Sequence, residues 1–239
     1  TSRESEIIKG VTTMTPPKAI FFDINETLLD MAEMKHGLAP LLGGNEDLVD
    51  LWFANLLHHS LVDIASNQFH DFINIGAAAL VMVAHSKGFS VSEDEALNAI
   101  KSHITKLPAH DDVKPTLSKL QSLNVPLVAL SNSSIEGLKA QLEFADIVEC
   151  FTHVLSTEKI KTYKPYPDVY RWACKEVGVE PEDAMMVAAH GWDVSGAKAI
   201  GMQTTFVNRP GKMMYPLGLA PDLNVESLTG LEQEMKKGA

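Results

Sequence analysis

The feature that most constrains this chain is a set of short, unbroken apolar runs. They are Lys18 to Asp23 (KAIFFD), Val125 to Leu130 (VPLVAL), Phe151 to Leu155, Ala184 to Ala189 (AMMVAA) and Thr204 to Val207. A strand with one wet face alternates apolar and polar residues; a run that does not alternate is apolar on both faces. Such strands belong inside a parallel sheet covered by helices. Pro126 falls near the start of its run, where a strand best tolerates a missing N–H.

Helical stretches lie between the runs, at about 112–123, 134–143, 167–178 and 193–200. Ser133 and Glu136 have capping-box spacing, and Gly201 is placed to close the last of these helices. Strand and helix in alternation give a Rossmann-like, doubly wound α/β fold. One interval breaks the pattern. From Asp23 to Val125 no strand is expected, and helical segments are expected near 46–64, 67–87 and 92–107. That is far more chain than a parallel crossover needs. Residues 31–107 are therefore expected to form an inserted α-helical cap domain, with 18–30 and 108–239 as the catalytic core. Residues 1–17 are expected to be an N-terminal arm that ends at Pro16-Pro17.

Charge narrows the partners. Asp and Glu outnumber Lys and Arg, 31 to 20, for a net charge of -11. This argues against a nucleic-acid binder, which needs a basic face. An anionic ligand would need a local positive pocket. Cys150 and Cys174 are too few and too isolated for a disulfide framework, and a cytoplasmic setting is expected. No run is long and apolar enough to span a membrane. His58 and His59 are adjacent, not at i and i+4, and the other histidines are scattered, so no metal site is expected. The apolar cap helices, such as Ile75 to Ala84, could pack internally or form a homodimer face.

In open parallel sheets, ligands bind beyond the carboxyl ends of the strands. The residues there are Asp23-Ile24-Asn25-Glu26-Thr27, Ser131-Asn132 and His190-Gly191-Trp192-Asp193, with Lys164 in a loop before a helix. Asp193 begins a helix and has N-capping as a competing role.

These residues identify the chain as resembling the haloacid dehalogenase superfamily. FFDINETLLD resembles its first motif, with Asp23 as nucleophile and Thr27 as the supporting threonine. Leu130-Ser131-Asn132 resembles the second, Tyr163-Lys164-Pro165 the third and Trp192-Asp193 the fourth. The resemblance covers about 18–215. Within the superfamily, Thr162 to Tyr170 (TYKPYPDVY), Trp192-Asp193 and Val207 to Gly211 are similar to type II L-2-haloacid dehalogenases. That implies hydrolysis of a small anionic 2-halo acid to the 2-hydroxy acid, with inversion and without a cofactor or metal. It also implies substrate contacts from Ser131, Asn132, Phe53, Tyr170 and Trp192.

The chemistry fits these residues. Superfamily phosphatases carry a second aspartate two residues after the nucleophile, to protonate a leaving alkoxide. Asn25 stands there and cannot transfer that proton, but a halide leaves without one. Asp23 would attack the substrate's Cα to form an ester. Lys164 would offset the two anions that meet. Ser131, with backbone N–H groups after the first strand, would orient the substrate carboxylate, and Asn132 could donate to the halide.

Five positions depart from the relatives. Glu26 stands where they usually have glycine, and His190 where they usually have asparagine. Both lie on loops expected to face one site, so His190 is expected to activate the water that hydrolyses the ester, with Glu26 orienting it. Phe53 takes the place of a cap-helix arginine, and an aromatic edge offers a halide no full charge. Two serines of the relatives are replaced by Ala188 and Ala189. The alternatives are a related hydrolase acting on another small electrophile, such as a phosphate ester, and a non-catalytic binding module.

Overall fold

The computed structural model describes residues 15–237. The arm expected over 1–17 lies almost wholly outside them. Six strands form one parallel sheet: β1 (Ala19–Phe22), β2 (Leu127–Ser131), β3 (His153–Ser156), β4 (Ala184–Ala188), β5 (Gln203–Val207) and β6 (Leu223–Val225). Their order is β3-β2-β1-β4-β5-β6. β1, β2 and β4 are buried along their whole length, so each presents apolar residues to helices on both faces. Two apolar clusters result. Ile20 and Phe22 point into one and Ala19 and Phe21 into the other, by the two-residue period of the strand.

The helices are α1 (Ala32–Leu38), α2 (Asp47–Ala65), α3 (Phe72–Ser86), α4 (Glu93–Ile104), α5 (Val113–Gln121), α6 (Ile135–Phe144), α7 (Pro167–Val177), α8 (Gly191–Ala199) and α9 (Leu228–Lys237). The first four form the helical cap inserted between β1 and the rest of the core. Trp52 on α2 locks two of them together: it is 1% exposed and its indole N–H donates to the Gly76 carbonyl of α3 at 2.7 Å. No helix among the described residues is long and apolar enough to cross a membrane.

The expected capping box at the start of α6 is corrected by one residue. Ser134, with extended ψ 156, is the N-cap and accepts from Gly137 N at 3.2 Å. Ser133 belongs to the preceding turn, where its N–H donates to Ser131 Oγ at 3.1 Å. Gly201 follows the end of α8 with φ +96, a conformation that glycine adopts without a Cβ penalty.

Winding places the site. From β1 the chain moves outward through β2 and β3, then returns to the far side of β1 at β4. The strand order reverses at β1 and β4, and the crevice at their carboxyl ends is where such sheets bind ligands. Asp23 follows β1 and His190 follows β4, so the reversal point brings them side by side.

Candidate active site

Asp23 is 5% exposed. Its Oδ1 accepts from Lys164 Nζ at 2.8 Å. Its Oδ2 accepts from Thr27 Oγ1 at 2.6 Å and meets His190 Nδ1 at 2.8 Å. Each partner is itself held. Thr27 Oγ1 accepts from Ala189 N at 2.9 Å. Lys164 Nζ also donates to Asp193 Oδ2 at 2.6 Å and to the Leu130 carbonyl at 3.1 Å. Asp193 Oδ1 accepts from the Tyr170 hydroxyl at 2.6 Å.

Asp193 does not cap its helix. His190 is the N-cap of α8, and Asp193 sits in the first turn with its carboxylate turned onto Lys164 and Tyr170. The two carboxylates best placed to share a cation, Asp23 and Asp193, already share the Lys164 ammonium.

His190 bridges two acids, with Nδ1 on Asp23 and Nε2 on Glu26 Oε2 at 2.6 Å. A carboxylate only accepts, so both ring nitrogens must donate and the ring is imidazolium in this state. Burial works against that charge, yet Asp23 and then Glu26 push the His190 pKa up to about 9. Burial would raise Asp23, but Lys164 and His190 outweigh it and hold the carboxyl well below its ordinary range. Glu26 is lowered in the same way, against burial, by His190 and by Lys212. Burial opposes the charge on Lys164, and Asp193 and Asp23 keep it protonated. Asp193 is pushed upward by burial, against Lys164, with Asp23 adding to the rise.

A stability consequence follows from His190. Its folded pKa, about 9, lies above the ordinary 6.5. The stabilisation is therefore complete below pH 6.5 and is lost as pH rises through 9. The loss is on the order of 3 kcal/mol across that window. Thermal melts between pH 6 and pH 9.5 should show the wild-type chain losing stability that His190→Asn, which does not titrate, does not lose. Parallel pH profiles for the two chains would contradict it.

Glu26 holds a left-handed backbone, φ 63. That conformation costs a non-glycine residue on the order of 1 kcal/mol. The side chain is anchored at both oxygens, Oε2 on His190 and Oε1 accepting from Lys212 Nζ at 2.6 Å.

The other expected residues separate into two groups. Phe53, on α2, stacks on His190 with ring centroids 6.1 Å apart, and Trp192 stacks on it at 5.0 Å. Both put aromatic faces against the imidazolium. Ser131 and Asn132 are buried at the end of β2, where Asn132 Oδ1 accepts from Lys164 N at 2.9 Å. Tyr170 is not brought to the crevice. It is fully buried behind Asp193.

Asn25 turns away from Asp23. Its Oδ1 accepts from Gln141 Nε2 at 2.8 Å, and its Nδ2 reaches Ser133 Oγ at 3.5 Å. Asn25, Ser133, Ser134 and Gln141 are the polar residues lining a pocket between core and cap that is otherwise walled by Trp52, Phe53, Leu56, Ile104 and other mostly apolar residues. Lys212 and Gln141 escaped the sequence reading. Extending the strand-end rule to the loop after β5 would have reached Lys212. Nothing local marks Gln141, which lies 116 positions from Asn25.

A six-stranded parallel sheet in this order, with a helical cap after its first strand, defines a capped, Rossmann-like α/β architecture. The profile of the haloacid dehalogenase-like hydrolases matches residues 17–201, and the chain belongs to that family. It is 33% identical over 202 residues to (S)-2-haloacid dehalogenase 1 of Pseudomonas sp. (strain CBS-3), covering 83% of this chain and 88% of that one. It is 31% identical over 198 residues to (S)-2-haloacid dehalogenase 4A of Burkholderia cepacia, covering 81% and 84%. Among solved structures, a dehalogenase 28% identical superposes with TM-score 0.82 over 93% of this chain and 97% of that one. The L-2-haloacid dehalogenase of Xanthobacter autotrophicus with chloropropionic acid covalently bound shares the fold, with TM-score 0.87 at 22% identity over 93% and 100%.

Proposed function

We propose that this chain hydrolyses short (S)-2-haloalkanoic acids to (R)-2-hydroxy acids through an ester on Asp23. One observation carries the reading: Asp23 is an ionised carboxylate held by Lys164, Thr27 and His190, while the acid needed for phosphate esters is replaced by Asn25, which is bonded to Gln141. The relatives named as (S)-2-haloacid dehalogenases support the substrate class.

In the first step an Asp23 oxygen attacks Cα from the side opposite the halogen. The new C–O bond forms as the carbon–halogen bond breaks, and halide leaves with the electron pair. Oδ1 has one donor and Oδ2 has two partners, so Oδ1 is the freer nucleophile. Lys164, Ser131 and the backbone N–H groups after β1 hold the substrate carboxylate, with Asn132 near the halide.

The second step depends on what the first does to His190. Esterification removes the Asp23 charge, the leading influence that keeps the ring protonated. The imidazolium then loses its Nδ1 proton to solvent, while Nε2–H stays on Glu26. Neutral Nδ1 takes a proton from water as the water oxygen bonds to the ester carbonyl carbon. When the tetrahedral intermediate collapses, His190 returns that proton to the departing alkoxide. The proton left on the Asp23 carboxyl passes to His190, which restores the starting ion pair. One proton and one halide are released per turnover.

Single-turnover kinetics on His190→Asn test this. Ester formation should proceed at a rate close to wild type, while its hydrolysis slows by about 100-fold or more. An unchanged hydrolysis rate would exclude the dyad. Halide release from 2-chloropropionate, run beside a magnesium-supplemented phosphatase assay, separates dehalogenation from phosphate-ester hydrolysis.

A further inference from the structure

Glu26 has two oxygens and two partners, and one of those partners lies outside the machinery above. Lys212, in the loop after β5, donates Nζ to Glu26 Oε1 at 2.6 Å, while Oε2 faces His190 Nε2 at the same distance. The ammonium thereby extends an alternating row of charges: Lys212, Glu26, His190, Asp23, Lys164 and Asp193. Five of the six side chains are nearly enclosed, and Lys212 is the most exposed, at 26%. It borders an open cleft that is also lined by Glu26, Asp30, Lys35, His110 and Arg209.

Those neighbours are already occupied. Lys35 pairs with Asp50 at 2.6 Å and Arg209 with Asp112 at 2.9 Å. His110 Nε2 meets the Glu26 main-chain carbonyl, not its carboxylate, at 3.3 Å. Among the described residues, the groups that touch the Glu26 carboxylate are therefore His190 and Lys212. Those facing His190 are Asp23 and Glu26, with the Phe53 and Trp192 rings stacked on it.

We infer that Lys212 is a positioning residue for the hydrolysis half-reaction, holding the Glu26 carboxylate on His190 Nε2. It touches neither substrate nor the reacting atoms and acts only through Glu26. Without the ammonium, Glu26 loses a cation that favours its charged form, and its carboxylate can swing off the ring. His190 also keeps its proton to higher pH once a nearby positive charge is gone. A displaced Glu26 also withdraws a negative charge that raises His190, so the two effects on its protonation oppose each other, and what is lost is the ring held through Nε2–H.

The inference rests on the proposed role of His190 and Glu26. It is tested by single-turnover rates of ester formation and ester hydrolysis across pH in the wild-type chain, Lys212→Met, Lys212→Arg and His190→Asn. In Lys212→Met, ester formation should stay within about twofold while hydrolysis slows about tenfold, because the ring is no longer aimed. The deficit should persist at alkaline pH, and Lys212→Arg should restore the wild-type profile. The inference is overturned if Lys212→Met leaves the hydrolysis profile in place, or lowers both steps in proportion at every pH. If hydrolysis in His190→Asn is also unaffected, the underlying dyad fails; if that variant is slow while Lys212→Met is normal, only the role of Lys212 does.

Discussion

Lys164→Met is expected to melt on the order of 10 °C below the wild-type chain and to release halide at least about a thousandfold more slowly. Both effects come from one ammonium. Lys164 is 2% exposed and is shared by two buried carboxylates. A methionine fills similar space but leaves Asp193 without a counter-charge and Asp23 with His190 alone. Breaking a buried pair by removing one partner costs about 3–5 kcal/mol, because the remaining charge is uncompensated. The chain can relieve this by protonating a carboxylate, and Asp193 is the one already pushed that way by its burial. The loss in rate has a separate cause. The attacking carboxylate and the substrate carboxylate are both anions, and Lys164 is the cation that offsets them. Differential scanning calorimetry and a halide electrode measure the two effects on one preparation. A variant that melts normally, or turns over at a wild-type rate, would remove Lys164 from the account.

Asp23→Asn is expected to keep the fold and lose activity by about 10,000-fold or more, since an amide is a poor nucleophile at carbon. It also isolates the proposed switch at His190. An asparagine, like the ester, carries no charge, so the strongest influence raising His190 is gone while Glu26 remains. Its titration, followed by the ring proton resonances, should therefore fall well below the value of about 9 expected for the wild-type chain. If His190 titrates at the same pH in both proteins, the state of Asp23 does not control it, and the proposed second step loses its trigger.

The sheet was legible because its central strands are apolar on both faces, a pattern no loop or surface helix shares. Its edge was not. β6 is three residues long, Leu223–Val225, with Asn224 exposed, which is too short to show a period. The strand-end rule gathered Asp23, Thr27, Ser131, His190 and Asp193 without knowledge of a single contact, because parallel winding sends all those ends to one rim. It could not say which way a side chain turns. Tyr170 sits on a helix that packs against α8, so its hydroxyl meets Asp193 from behind and not the crevice. Asn25 was noticed for the proton it lacks, whereas its bonds to Gln141 and Ser133 depend on how α6 docks. The protonation of His190 was out of reach for the same reason. A histidine expected to be a base is, before the reaction starts, an acid held between two carboxylates.

In the proposed reaction the oxygen entering the product comes from Asp23 and not directly from water. A single turnover in H2(18)O, with enzyme in excess over 2-chloropropionate, tests it most directly. Attack of water on an Asp23 ester leaves unlabelled oxygen in the lactate and one heavy oxygen in the peptide that carries Asp23. Heavy oxygen in the lactate of that first turnover, with an unlabelled Asp23 peptide, would contradict it.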